Sequence, residues 1–196
     1  MPTLSELWLV PKLEKIHDLI DGSLEIRVET DPVDLAKSNV DLRLTYGTRY
    51  YKDHLKTELF RDLAVPACSG EFWSRFEAPD VSLENIPWCH LIHHKWGPAF
   101  GSEPTWDEWF EGNNLSSLTN TGRGLTFNST SLAIAAARRS LGIVLAPKSL
   151  IVEDLEQGHL IVPSYQEVQM QYSYFAISLH AKGESARVKK VMKALY

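Results

Sequence analysis

Apolar side chains follow two different periods in the first part of the chain. Residues 4–20 carry one apolar stripe at helical spacing, which predicts a helix that Pro11 bends because proline lacks a backbone donor. Residues 24–28 and 42–46 alternate apolar with polar side chains, which predicts two strands. The pattern therefore predicts a helix that is followed by strands.

Short elements alternate through the rest of the chain. The predicted strands are the second half of residues 59–68 and residues 90–93, 124–127, 142–147 and 172–179. The predicted helices lie near residues 82–86, from Thr105 with Glu108 as its capping box, and over residues 132–140, 148–157 and 185–196. Because strands alternate with helices, this order predicts an α/β fold with parallel sheets that helices cover.

The composition indicates a folded protein with a net negative charge. The chain has 196 residues, of which 44% are hydrophobic, and its formal net charge is -5. Such a balance gives no overall attraction for nucleic acid, so we expect the chain alone to bind DNA poorly. No apolar run approaches the roughly 20 residues that span a bilayer. The first residues do not resemble a secretory signal, so we expect a cytoplasmic protein with no membrane partner.

The sequence contains none of the common catalytic or phosphate-binding motifs. The residue types that zinc or copper accepts are concentrated in one place, at Cys89, His90, His93 and His94. Neighbouring side chains of a strand point to opposite faces, which favours packed or solvated histidines over a metal site. Asp31, Asp34, Glu153 and Asp154 give no clear pair, because each is expected to lie where a helix begins or to face solvent, with a solvated face as the default. We therefore expect no cofactor, no metal and no catalytic residue.

Two predicted helix starts are rich in hydroxyl and amide side chains. Thr3 followed by Glu6 is typical of a capping box, and residues 128–131 precede the alanine-rich helix. A helix start presents unpaired backbone amides and the positive end of the helix dipole, so it can hold a carboxylate or a phosphate. Ordinary helix capping explains the same residues and stays open as the alternative.

Five strings, in order and at ordinary spacing, resemble the substrate-binding domain of LysR-type transcriptional regulators. They are WLVPKL at 8–13, VDLRLTYG at 40–47, LAVPACS at 63–69, the stretch from FNST at 127–130 to LGIVLAP at 141–147, and LEQGHLIVP at 155–163. The resemblance covers nearly the whole chain and is strongest to the subgroup that includes the glycine-cleavage and β-lactamase regulators.

The resemblance implies a type II periplasmic-binding-protein fold, in which two α/β lobes are joined by two crossing strands. By this analogy, residues 1–67 and 171–196 form lobe I, and residues 68–170 form lobe II. The family's first strand and its DNA-binding helix-turn-helix stand ahead of the position of Thr3, and this sequence contains neither. The central strand of lobe I must then be supplied from elsewhere or done without.

The resemblance also implies a site for a small molecule between the lobes. Thr3 matches the position whose hydroxyl and helix amides hold an effector anion, and Asn128, Ser129 and Thr130 match the facing helix start. Tyr174 matches a tyrosine of the cleft. Asn128 replaces the aspartate that is usual in the subgroup, which removes a negative charge and favours an anionic or zwitterionic effector.

These observations predict an effector-sensing domain that controls DNA-dependent transcription through a ligand-induced change. DNA would be bound only through an amino-terminal domain that this sequence lacks. The family pairs antiparallel, so we expect a homodimer or tetramer with residues 24–28 and 132–140 as contact faces. Two alternatives stay open: a stand-alone solute-binding protein of the same fold, and an enzyme with a metal site at the histidine cluster.

Overall fold

The computed structural model of the chain describes residues 2–76, 82–95, 104–116 and 124–196. Its α-helices are α1 (Pro2–Leu4), α2 (Leu13–Leu19), α3 (Gly70–Trp73), α4 (Trp106–Gly112), α5 (Thr130–Arg138), α6 (Val152–Glu156), α7 (His180–Gly183) and α8 (Ala186–Leu195). Its strands are β1 (Arg43–Tyr46), β2 (Leu55–Phe60), β3 (Leu63–Ala67), β4 (Leu91–His94), β5 (Thr126–Phe127), β6 (Ile143–Pro147), β7 (Val168–Gln169) and β8 (Tyr174–Ser178). The chain divides into two compact units, unit 1 (Met1–Arg61 and Tyr172–Tyr196) and unit 2 (Asp62–Gln171).

The strand β3 belongs to unit 2, because it pairs with β6 on one side and with β7 on the other. The first boundary between the units falls after Arg61. The division into lobes at residue 67 stays a prediction.

The sheet of unit 1 has three strands in the order β1-β8-β2. Both pairings are antiparallel, with Ala176 of β8 opposite Leu44 of β1 and Thr57 of β2. Because β8 runs between β1 and β2 in the opposite direction, no two parallel strands are neighbours in this sheet. The predicted parallel sheet is therefore wrong for unit 1.

Residues 24–28 do not form the predicted strand. In the part of the chain that the structure describes, no strand lies beside them and their amides make no backbone hydrogen bond. A strand exists only with such a partner, which alternation in the sequence cannot guarantee. One of the two expected contact faces is thus an exposed segment, with Ile26 and Val28 open to solvent.

A helical run opens unit 1 and covers one side of its core. It begins as α1, passes through a π-helical turn at Ser5–Leu9 and a 3-10 turn at Val10–Lys12, and ends as α2. Pro11 lies in the 3-10 turn, where its missing backbone donor breaks the α-helical hydrogen bonding as expected. The buried Ile16 lies in α2, which packs against α8.

The sheet of unit 2 has five strands in the order β5-β4-β6-β3-β7. The strand β4 runs parallel to β5 and to β6, whereas β3 runs antiparallel to β6 and to β7. The predicted parallel arrangement is thus confirmed for half of this sheet only. All five residues of β6 are buried, as expected for a strand in the middle of a sheet.

An aromatic cluster fills the core of unit 2. Trp106 and Trp109 of α4 are almost completely buried, and the indole Nε1 of Trp106 donates to the carbonyl of Ile92 at 2.9 Å. The predicted capping box of this helix is confirmed. Glu108 Oε2 accepts from the backbone amide of Thr105 at 2.6 Å, and Thr105 Oγ1 accepts from the amide of Glu108 at 3.2 Å.

Candidate functional site

The structure places two of the predicted site residues in unit 1 and three in unit 2. Thr3 and Tyr174 belong to unit 1, whereas Asn128, Ser129 and Thr130 belong to unit 2. The three residues of unit 2 are brought together where β5 ends and α5 begins.

Thr3 lies inside the first helical turn of unit 1 and is only 6% exposed. The predicted capping box of Thr3 and Glu6 is wrong, because the described helix already includes Pro2. Proline is favoured at the first helical position, where its missing N–H would have no partner in any case. The hydroxyl of Thr3 therefore belongs to a residue within the helix and does not cap it.

Tyr174 is the first residue of β8 and is 1% exposed. It lies opposite Tyr46 of β1 and Phe60 of β2, and its ring centroid is 5.2 Å and 4.8 Å from theirs. Phe60 in turn stacks at 5.1 Å from Trp8, so the four rings form one continuous row. Sequence reasoning missed this row, since only the strand register brings the rings together.

The turn from β5 to α5 carries the other predicted site residues. Asn128 is exposed, Ser129 is half-buried and Thr130 is 1% exposed. Ser129 is the capping residue of α5, with an extended backbone at φ -141° and ψ 123°. Its carbonyl accepts from the amide of Ala133 at 3.1 Å, which closes the first helical turn. The helix thus begins two positions earlier than the predicted residue 132.

The side chain of Ser129 does not cap the helix. It makes no hydrogen bond to the first-turn amides of α5, and its Oγ lies 3.1 Å from Oγ of Ser131. Ordinary capping, the alternative explanation for this hydroxyl, therefore does not describe the structure. Two hydroxyls and the positive end of a nine-residue helix stand together at this point.

Small buried residues fix the position of α5 on the sheet of unit 2. Ala133, Ala136 and Ala137 are buried, and the helix packs against β4 and β6. At the other end of the helix, Nη2 of Arg138 lies 2.6 Å from Oδ2 of the buried Asp154. Asp154 lies in the first turn of α6, as one alternative predicted, but it does not face solvent. The buried alanines and this ion pair hold α5 in place in unit 2.

Two histidines of the cluster lie on β4 and pack among other side chains. Burial lowers the pKa of His94 to about 4 and also lowers the pKa of His93, so both imidazoles are neutral at pH 7. The ring of His93 stacks 4.8 Å from that of Trp88, and Cys89 is exposed. Across the described residues, no three His, Cys, Asp or Glu side chains come together to hold a metal ion.

The chain is similar in sequence to transcriptional regulators of bacteria. Residues 1–196 match the family described as LysR substrate binding domain. The HTH-type transcriptional regulator PerR of Escherichia coli is 27% identical over 190 residues, which cover 94% of this chain and 60% of that protein. The glycine cleavage system transcriptional activator homolog of Haemophilus influenzae is 28% identical over 157 residues, or 78% of this chain and 48% of that protein. The chain thus spans 60% of the first relative's length and 48% of the second's.

The fold is also similar to that of solved effector domains. The effector domain of the transcriptional regulator AmpR of Pseudomonas aeruginosa superposes with a TM-score of 0.74 at 22% identity, covering 98% of this chain and 91% of that chain. This likeness confirms the predicted fold class, a type II periplasmic-binding-protein-like α/β fold. Because the family match extends over residues 1–196, the chain belongs to the LysR substrate binding domain family.

Proposed function

We propose that the chain is the effector-sensing domain of a transcriptional regulator and that it binds a small anionic or zwitterionic molecule. The observation that carries this proposal is the start of α5, where the hydroxyl of Ser129 makes no capping hydrogen bond to the helix. A helix start favours a negatively charged group through its dipole and its first amides. A carboxylate is the effector group that such a position accepts best.

The side chains around the start of α5 support an anion over a cation. Asn128 is an uncharged amide that both donates and accepts hydrogen bonds, and Ser129 adds a hydroxyl donor. The first turn of α5 contains no acidic residue, so no carboxylate there opposes a bound anion. The ammonium group of a zwitterion would need acceptors, which the amide and hydroxyl oxygens supply.

Unit 1 contributes Thr3 and Tyr174 to the proposal. Thr3 is buried in the first turn of the helical run, and the ring of Tyr174 packs against the rings of Tyr46 and Phe60. Side chains locked in this way lose little rotamer entropy when they bind a ligand. We therefore assign effector contacts to Thr3, Asn128, Ser129, Thr130 and Tyr174.

Binding would regulate transcription by shifting the population of conformations that an attached DNA-binding domain experiences. The curated relatives are HTH-type regulators and are longer than this chain, which supports a DNA contact made outside residues 1–196. The net charge of -5 also supports DNA binding by a part of the protein outside residues 1–196, because binding to DNA phosphates needs positive charge. On this proposal the chain is not an enzyme and uses neither a cofactor nor a metal.

Regulators of this kind act where the chromosome is, which in bacteria is the cytoplasm, and we assign the chain to that compartment. None of the helices among the described residues has the length and apolar character that a membrane crossing requires. We further propose that the domain works as a homodimer or a tetramer of two-fold symmetry, the commonest arrangement of soluble oligomers.

Calorimetric titration tests the binding site. A thermal-shift screen of small carboxylates and amino acids first identifies a ligand, because a bound ligand raises the melting temperature by mass action. Ser129→Glu should then abolish binding through bulk and charge. Thr3→Val and Tyr174→Phe should each weaken it roughly tenfold to a hundredfold, the cost of one charge-assisted hydrogen bond.

Glu156→Asp is the matched control, because residue 156 is exposed on α6, away from the proposed contacts. It should leave the dissociation constant unchanged. If all three site variants remain folded and bind as tightly as the parent chain, the assignment of these residues is wrong.

A further inference from the structure

Lys95 follows the last residue of β4 and lies beside the start of α5 in unit 2. In the parallel register of β4 and β5, His94 is opposite Phe127. The backbone amide of Lys95 donates to the carbonyl of Phe127 at 2.8 Å, which continues this pairing beyond the end of both strands. Lys95 is therefore opposite Asn128, the first residue of the turn that leads into α5.

The side chain of Lys95 is long enough to reach a ligand at the start of α5. Neighbouring strands lie about 4.8 Å apart, and opposite residues of two paired strands have their side chains on the same face of the sheet. Lysine carries its ammonium group on a flexible stem of four carbons and offers three hydrogen-bond donors. The ammonium group of Lys95 therefore spans the distance to an anion that Asn128 and Ser129 hold.

The positive charge of Lys95 has no acidic partner within the part of the chain that the structure describes. Lys95 is exposed and takes part in no ion pair there. The carboxylate of Asp107 on α4 interacts electrostatically with the nearby His93, but it forms no ion pair with Lys95. The first turn of α5 contains no acidic residue either. The ammonium group is thus available to a bound anion.

A second lysine at the same edge of the sheet differs from Lys95 in this respect. The strands β4 and β6 are parallel neighbours, so their carboxyl ends lie at one edge of the sheet. Lys148 follows the last residue of β6, and its Nζ lies 3.7 Å from Oε2 of Glu167. The charge of Lys148 is therefore partly compensated within the protein, whereas that of Lys95 is not compensated by any described residue.

We propose that Lys95 is a further effector-binding residue and that it selects an effector with an overall negative charge over a zwitterion. This inference rests on the proposed effector site at the start of α5. The helix start holds a carboxylate through its amides and its dipole, and Lys95 adds a full positive charge beside it. In an α-amino acid the ammonium group stands next to the carboxylate. Lys95 repels that group, so it favours an effector that lacks it.

Succinate and aspartate test this selectivity, because aspartate is succinate with one added ammonium group. Each anion is titrated into the parent chain while the amide NMR signals of Ser129 and Thr130 are followed. We expect succinate to bind about fivefold more tightly than aspartate, and Lys95→Met to remove the difference by weakening the binding of succinate. Lys95→Arg should keep the difference because it keeps the charge. Sodium chloride at about 0.5 M should reduce the difference in the parent, because salt screens an exposed charge.

Arg139→Met is the charge-matched control, because Arg139 is exposed and follows the last residue of α5, at the opposite end of the helix. It should leave the ratio of the two dissociation constants unchanged. If succinate shifts the amides of Ser129 and Thr130 with the same dissociation constant in Lys95→Met as in the parent, the role of Lys95 is wrong while the effector site stands. If neither anion shifts these amides in the parent chain, the effector site and the role of Lys95 are both wrong.

Discussion

The carboxylate of Asp31 and the guanidinium of Arg43 form a buried ion pair in unit 1, with Oδ1 of Asp31 2.8 Å from Nη2 of Arg43. Tyr51 and Thr45 also donate to this carboxylate, at 2.5 and 2.9 Å. Burial acts to raise the pKa of Asp31, but the hydrogen bond from Tyr51 and the charge of Arg43 outweigh it and hold the pKa below its ordinary value. The expectation that Asp31 faces solvent is therefore wrong.

Removal of the cationic partner should destabilise unit 1. Arg43→Met leaves the Asp31 carboxylate buried without its opposite charge, and we expect a loss of about 3 kcal/mol in the free energy of unfolding. Urea denaturation measures this loss. Lys37→Met is the control, because Lys37 and its partner Asp34 are 87% and 50% exposed and water screens their pair. Equal losses from the two variants would contradict the structural role of the buried pair.

Some local signals in the sequence predicted the structure, whereas contacts between residues that are distant in the sequence were not predicted. Thr105 and Glu108 are three residues apart, so their capping box depends on one helical turn and the sequence contains all of it. Asp31 and Arg43 are twelve residues apart, and no local pattern in the sequence pairs them. The same reason explains why residues 24–28 alternate like a strand without forming one. The period of apolar residues shows which secondary structure a segment favours, but a strand also needs a second strand to pair with.

The candidate site also combines features that local sequence signals predict with features that only the folded structure shows. The start of α5 was predicted from Asn128, Ser129 and Thr130, because hydroxyl and amide residues before an apolar helix are a local signal. The ring row that holds Tyr174 was not predicted, because the register of β8 against β1 and β2 creates it. Family resemblance supplied Tyr174 as a candidate, and residue patterns alone did not.

Gly142 occupies a position at the start of β6 where a side chain does not fit. A Cβ atom there would lie 2.6 Å from the carbonyl oxygen of His90 and 2.9 Å from Cγ1 of Ile92. Gly142→Ala should therefore lower the free energy of unfolding by about 2 kcal/mol, as overpacking does. Gly70→Ala is the matched control in α3, since nothing lies within 4 Å of its added Cβ. In thermal unfolding, Gly142→Ala should melt at a lower temperature than Gly70→Ala. Equal melting temperatures would show that the backbone around Gly142 shifts to accept a Cβ atom without loss of stability.

His94 should make the stability of the chain depend on pH. Burial lowers its pKa from 6.5 to about 4 in the folded state, whereas the unfolded chain keeps the ordinary value. The unfolded state therefore binds the proton first, and the stabilisation present above pH 6.5 is lost progressively as pH falls towards 4. The loss amounts to about 3 kcal/mol at most.

Urea denaturation at a series of pH values measures this dependence. In His94→Leu the slope of stability against pH should be smaller between 6.5 and 4, the ordinary and folded pKa values of His94. His17→Gln is the control, because His17 is exposed on α2 and should leave the slope unchanged. A parent chain whose stability is constant over this interval would show that His94 is not buried in the neutral form.

Self-association should depend on the exposed apolar residues at α5. Leu132 on the helix and Leu141 just after it are 55% and 53% exposed, and large apolar side chains exposed to solvent on one element can mark an interaction surface. A two-fold pair buries each such residue twice, so Leu132→Glu introduces two charges into the same interface. We expect the parent chain to form dimers or tetramers in light scattering at high concentration, and Leu132→Glu to be monomeric with unchanged circular dichroism.

Val152→Glu is the control, because Val152 is 47% exposed on α6 and outside this surface. This variant should have the same mass as the parent chain in light scattering. A parent chain that is monomeric at every concentration would contradict the predicted dimer. A Leu132→Glu variant that still associates would show that the interface does not include the start of α5.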